Sequence, residues 1–189
     1  MMNNSIVYLF GFSGTGKYTV AKSFAERTQF ILVHNHLINN PVFALVRKNG
    51  STPIPWGAWR EIRKIRDAVM NTVAYIADSK DSFIFTNELL NRKEDYKIFT
   101  EIEDIATIRK ATFLPIRLLC SEEEHLRRVA LPDRDVMMKE TNVENIKERR
   151  GLYEVFKPEH ENLFELDITN VTPADAAQMI EKRLKEIHS

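Results

Sequence analysis

An α/β fold built on a parallel sheet is what this sequence of 189 residues predicts, and three observations predict it. Short apolar runs that read as strands buried on both faces, residues 5–10 first among them, alternate with segments whose apolar residues recur at helical spacing. The opening order of strand, glycine-rich loop, helix and strand needs a crossover, and so predicts parallel neighbours. No internal repeat and no linker rich in glycine or serine divides the chain, so a single domain spanning residues 1–189 is expected, large enough to bury a core without staples.

The first strand runs into Gly-Phe-Ser-Gly-Thr-Gly-Lys-Tyr-Thr, residues 11–19. Gly11, Gly14 and Gly16 let the backbone bend tightly, so that successive N–H groups, those of Ser13 and Thr15 included, turn toward one anion. Lys17 adds a full charge. Ala21, Phe24 and Ala25 begin the stripe of a helix whose N-terminus favours the same anion. A GxxxxGK[ST] spacing between a strand and a helix reads as a phosphate-binding loop. One position departs from it: Tyr18 stands where a seryl or threonyl hydroxyl would meet Mg²⁺, and Thr19 follows. A phenol carries its oxygen too far out for that place. Either phosphates, water and other side chains hold the metal, or Thr19 takes a shifted role, or the site binds nucleotide and catalyses poorly.

The helix should end near residue 28, and residues 30–33 form a second buried strand. At its carboxyl end stand His34, Asn35 and His36, which should face the nucleotide, because ligands of open α/β sheets bind beyond the carboxyl ends of strands. In an extended tip His34 and His36 would point to one side and Asn35 to the other. Acceptor binding, base catalysis, structural hydrogen bonding and metal ligation are all open to the pair, although no third ligand stands at a helpful spacing.

Residues 37–48 suggest a helix with Pro41 in its first turn or breaking it. Residues 49–55 are loop. Trp56 and Trp59 lead into a long amphipathic helix traced by Ile62, Ile65, Val69, Val73 and Ile76, and both indoles are expected as packing residues ahead of ligand stackers. The span 36–80 therefore reads as a helical lobe laid over the sheet, the acceptor lobe. A third strand covers 82–86, with Asn87 and Glu88 beyond it. Glu88 reads as a base, as a holder of metal-bound water, or as a helix-opening carboxylate. A helix over 92–110 and a fourth strand over 113–120 follow. Ser121 then caps a helix with Glu122, Glu123 and Glu124 in its first turn, an acidic run that the macrodipole explains. That helix reaches Val129 and breaks over 131–135. A helix over 145–156, a last strand over 162–168 and a terminal helix opened by Thr172, Pro173 and Asp175 complete the chain.

Lys+Arg and Asp+Glu number 27 each, so no net field recruits nucleic acid or an anionic membrane. Cys120 is the only cysteine, which excludes internal disulfides and points to a reducing compartment. With no apolar stretch of spanning length and a strand starting within about five residues of Met1, too soon for a signal peptide, a soluble cytoplasmic monomer or homodimer is expected.

These residues resemble the P-loop kinases of the nucleoside-monophosphate-kinase-like group, particularly shikimate kinase, gluconate kinase and chloramphenicol phosphotransferase. The resemblance implies a three-layer P-loop NTPase fold with a five-stranded parallel sheet, the helical acceptor lobe and a lid over about 130–142. Gly11 to Lys17 and Thr19 match its phosphate loop. Arg128 resembles the arginine that stacks on adenine, with Arg127 as the alternative; Arg134 resembles the lid arginine that reaches the transferred phosphoryl group; and Arg149 resembles the arginine of the helix after the lid. Thr169 lies in what resembles the turn bordering adenine. The acidic pair that shikimate kinase carries beyond its second strand is replaced by His34, Asn35 and His36. The activity implied is transfer of the γ-phosphoryl group of ATP, with Mg²⁺, to a hydroxyl of a small-molecule acceptor. Lys17, Arg134, His36 and Glu88 would be catalytic, with His34, Asn35, His36 and Asn87 around the acceptor and Thr19 on the metal. A nucleoside or nucleotide kinase is the first alternative, because Arg47, Arg60, Arg63 and Arg66 lie in the acceptor lobe. A non-catalytic ATP-binding module is the second, because of Tyr18 and the absent acidic pair.

Overall fold

The apolar runs of the sequence become β1 (Ser5–Phe10), β2 (Ile31–His34), β3 (Phe83–Asn87), β4 (Thr112–Leu119) and β5 (Phe164–Asp167). In the computed structural model, which describes residues 3–46, 54–131 and 142–188, they form one sheet in the order β2-β3-β1-β4-β5. Every strand pair is parallel. All of β1 is buried, and its alternating side chains feed two cores. Ile6, Tyr8 and Phe10 pack with helices α2 (Asn35–Val46), α3 (Trp56–Asn71) and α4 (Lys93–Arg109). Val7 and Leu9 pack on the other face with α1 (Lys17–Thr28) and α7 (Pro173–Ile187). The architecture is therefore the expected three layers. Between β4 and β5 lie α5 (Glu122–Val129) and α6 (Val143–Leu152).

Several boundaries differ from expectation. Extended backbone ends at His34 and Asn35 already opens α2, so the alternation predicted for His34, Asn35 and His36 does not occur. The Asn35 side chain accepts a hydrogen bond from Asn87 at 3.1 Å, a contact with β3 that local sequence does not show. Pro41 sits inside α2 beyond its first turn without breaking it. The carbonyl of Leu37 loses its donor there, and the exposed position of Leu37 lets water replace it. The helix expected over 145–156 stops at Leu152, because Tyr153 is extended and Val155 pairs with Leu90 in an antiparallel bridge.

The long amphipathic helix changes character at its end, where α3 gives way to a π-helical turn, Thr72–Ile76. Arg109, the last residue of α4, fastens this turn. Its guanidinium donates to the carbonyls of Val73 at 2.7 Å, Asp78 at 2.6 Å and Asp81 at 3.1 Å, and lies 5.1 Å from the Phe83 ring centre. Carbonyls orphaned by the end of the helix are thereby satisfied.

The caps form as expected. Ser121 Oγ accepts from the Glu124 N–H at 3.3 Å and Thr172 Oγ1 from the Asp175 N–H at 3.2 Å. Cys120 is buried, and burial pushes its thiol pKa up. Among the described residues no helix is long and apolar enough to cross a membrane. Arg134, Arg47 and most of the lid expected over 130–142 lie outside the described residues.

Candidate active site

The loop between β1 and α1 is shaped by contacts that only glycine tolerates. A Cβ on Gly11 would lie 2.6 Å from the carbonyl oxygen of Leu118, so the start of the loop is pressed against β4. Gly14 and Gly16 take φ of 97° and 110°, which turns the chain into α1. Thr15 Oγ1 donates to the Phe12 carbonyl at 3.0 Å, and Lys17 Nζ donates to the carbonyls of Gly11 at 3.0 Å and Phe12 at 2.6 Å. The ammonium thus lies over its own loop.

The peptide groups of Ser13 are held by Glu88 on one side and by His125 of α5 on the other, each backed by an arginine of α6. The Ser13 N–H donates to Glu88 Oε1 at 2.9 Å, and Arg149 Nη1 donates to both oxygens of that carboxylate at 3.0 and 3.2 Å. The Ser13 carbonyl lies 2.7 Å from Nε2 of the wholly buried His125, whose Nδ1 lies 3.2 Å from Arg150 Nη1. Arginine only donates, so Nδ1 accepts and the ring proton resides on Nε2, donating to Ser13. Neither His125 nor Arg150 was singled out by sequence; the available signal was a histidine four residues before Val129, the other buried residue of α5.

Two cavities flank the loop. The first, about 300 Å³, is lined by Gly14, Gly16, Thr19, Val20, Glu124, Arg127, Arg128, Leu131, Ile168, Val171 and Pro173. Arg128 crosses its floor, donating to the carbonyls of Thr15 at 2.7 Å and Ile168 at 2.8 Å and to Glu124 at 2.7 Å. It therefore ties the loop to the turn after β5. Thr169 stands in that turn and accepts from the Ser121 N–H at 2.9 Å; its hydroxyl and its N–H donate to Asp167 at 2.6 and 2.8 Å, and these two bonds hold the Asp167 carboxyl below its ordinary pKa.

Hydrogen bonds from Arg127 and Arg128 draw the Glu124 carboxyl down to about 2, from an ordinary value of 4.5. A lowered folded pKa means stabilisation that is present above the ordinary value and lost as pH falls toward 2. Glu124→Gln is therefore expected to melt a few degrees below the wild type at pH 7, with the difference shrinking steadily between pH 4 and pH 2. Parallel thermal melts across that range check it; a constant gap would mean that the pair does not couple to folding.

The second cavity, about 290 Å³, opens on the other side of Lys17. Ser13, Gly14, Gly16, Lys17, Tyr18, Thr19, Glu88 and Arg149 line its loop end, and Asn35, His36, Asn39, Phe43, Ile54, Trp59, Thr86 and Asn87 its outer part. It gathers Asn35, His36 and Asn87 as expected, whereas His34 does not line it. The His34 ring instead packs edge-on against Tyr18, with centroids 5.0 Å apart, and lies 6.2 Å from His36. Beneath the cavity the Tyr8 hydroxyl donates to Asn87 Oδ1 at 3.1 Å, and Asn87 Nδ2 donates in turn to Asn35 Oδ1. Burial raises the Tyr8 pKa far above its ordinary value, so this donor keeps its proton.

Neither tryptophan is a buried packing residue. Trp56 is 89% exposed, and Trp59, 44% exposed, forms part of the cavity wall perpendicular to Phe43. The lobe arginines turn elsewhere: Arg63 and Arg66 both pair with Glu101 of α4, and Arg60 with Glu61. Thr19 is exposed and borders both cavities. Among the described residues no group of three His, Cys, Asp or Glu side chains could hold a metal.

Solved structures match this arrangement over nearly the whole chain. A sugar kinase from Janibacter sp. HTCC2649 superposes with a TM-score of 0.61 at 18% identity, covering 96% of this chain and 95% of its own. The APS kinase CysC of Mycobacterium tuberculosis, in complex with AMPPNP and APS, gives 0.60 at 12% identity over 98% and 99%. Shikimate kinase from Acinetobacter baumannii, in complex with shikimate, gives 0.57 at 17% identity over 98% and 96%. The chain has the P-loop kinase fold. No protein-family model and no curated protein matches the sequence. On this P-loop kinase fold the chain sets two cavities of similar volume, about 300 and 290 Å³, beside the loop of residues 11–19.

Proposed function

We propose that the protein transfers the γ-phosphoryl group of ATP to a hydroxyl of a small molecule bound beside Asn35, His36 and Asn87. The observation that carries this reading is Glu88, whose carboxylate lies in the second cavity while touching the phosphate loop at Ser13. A base for an acceptor hydroxyl belongs at that junction. The likeness to an APS kinase holding AMPPNP and APS and to a shikimate kinase holding shikimate supports two adjoining sites of this kind.

In this reading Arg128 and the turn at Thr169 border adenine, the loop amides from Ser13 to Tyr18 receive phosphate oxygens, and Lys17 leaves its loop carbonyls for the β- and γ-phosphates. Phosphate at the Ser13 N–H releases Glu88, which accepts the acceptor's proton, while His36 orients the acceptor. Arg149 stays with the phosphoryl group, and Arg134, outside the described residues, joins it from the lid over 130–142. Helices α2 and α3 form the acceptor lobe, and the chain acts as a single domain. Mg²⁺ fits these residues only at their edge: Tyr18 is turned onto His34, so phosphate and water would hold the ion, with Thr19 and Glu88 nearby. Bound there it would neutralise phosphate charge. A buried lone cysteine suits a cytoplasmic setting. Glu101 holds Arg63 and Arg66 away from the acceptor cavity, which favours a small-molecule acceptor over a nucleoside monophosphate.

Thermal unfolding with ATP, with and without Mg²⁺, followed by an acceptor screen for ADP release, tests this reading. Ligand at about a hundred times its dissociation constant adds roughly 2.7 kcal/mol, a shift of several degrees. The expected result is a Mg²⁺-dependent shift in the wild type and ADP release stimulated by an acceptor. A shift indifferent to Mg²⁺ that becomes dependent in Tyr18→Ser, with no stimulated release, would make the protein an ATP-binding module instead.

A further inference from the structure

Helix α2 presents Asn35, Asn39 and Phe43 to the acceptor cavity at four-residue intervals, one stripe running outward from the phosphate loop. The first amide is engaged with Asn87. Asn39 is different: it is only 8% exposed, it faces the cavity, and its amide makes no hydrogen bond with the described residues. The exposure it keeps opens into the cavity, so a ligand group that both donates and accepts can pair with its amide. Beyond it, Trp59 and Phe43 offer an apolar wall.

From this juxtaposition, and resting on the phosphotransfer reading above, we infer that the acceptor is an uncharged, polyhydroxylated ring of monosaccharide size, with a hydroxyl held by Asn39 and a C–H face against Trp59. A hydroxyl matches an amide because each donates and accepts. A carboxylate or phosphate at Asn39 would find no lysine or arginine at that end of the cavity among the described residues. Lys17 and Arg149 both lie at the loop end, where Arg149 holds Glu88. Size agrees: about 290 Å³ holds roughly ten water-sized groups at about 30 Å³ each.

Isothermal calorimetry and ADP release with glucose, myo-inositol, gluconate and shikimate as probes, on the wild type, Asn39→Leu and the isosteric Asn39→Asp, test the inference. A neutral polyol is expected to outperform both carboxylates by about tenfold or more in kcat/KM. Asn39→Leu should raise its KM by about tenfold or more with kcat within about threefold and the ATP-induced melting shift unchanged. Should Asn39→Leu not fold, Asn39→Asp, which loses both amide donors, carries the same expectation. Preference for a carboxylated probe, or an unchanged KM in the variants, would overturn the inference. If ATP binds and no probe stimulates release, the transfer reading fails on its own. Calorimetry then decides the inference: polyol binding to the wild type that Asn39→Leu loses upholds it, and no polyol binding to the wild type ends it.

Discussion

Lys17→Ala is expected to weaken ATP binding by at least about a hundredfold while leaving the protein folded. Hydrogen bonds to charged partners contribute roughly 1.5–3 kcal/mol each, and an ammonium shared between two phosphates forfeits two of them, a factor of about 10² to 10⁴ in affinity. The fold should survive, because Thr15 still donates to the Phe12 carbonyl and Arg128 to the Thr15 carbonyl when the lysine is gone. Calorimetry with ATP and a melt without it separate the two effects. Unchanged affinity would remove residues 11–19 as the phosphate site.

Glu88→Gln should lower kcat by about 10² to 10⁴ with little change in ATP affinity. The amide oxygen can still accept from the Ser13 N–H, which keeps the loop in place, but it takes no proton from an acceptor hydroxyl. Turnover with a responding acceptor, set beside ATP calorimetry on the same variant, measures the split. A kcat within about threefold of the wild type would transfer the role of base to His36, which lines the same cavity.

What the chain reveals locally and what only its folding reveals divide along contact range. The first strand, the phosphate loop and the helix after it were legible, because a run buried on both faces and glycines at fixed offsets are properties of a dozen consecutive residues. Glu88 was legible by position alone, as a carboxylate just past a strand. The end of β2 was not, because the bond that places Asn35 comes from Asn87, 52 positions away. Arg63 and Arg66 of α3 looked available for an anion and are instead claimed by Glu101, 35 positions beyond Arg66. His125 and Arg150 acquire meaning only where α5 and α6 meet the Ser13 carbonyl. Trp59 reads as packing until the cavity beside it exists.

The Arg109 contacts have a mechanical corollary for the cavity lined by Trp59. They pin one end of the α3 segment, near Val73, to α4 and to the chain entering β3, while the other end adjoins Ile54 and the cavity mouth. Arg63 and Arg66 hold the same helix to α4 a second time, through Glu101, between Val73 and Trp59. Trp59 overhangs this inner anchor by about four residues, roughly 6 Å at 1.5 Å per residue, so a tilt of about 10° about it carries the indole by roughly 1 Å. The cavity wall is thus braced from α4, and its breadth is set by guanidinium contacts outside the cavity lining.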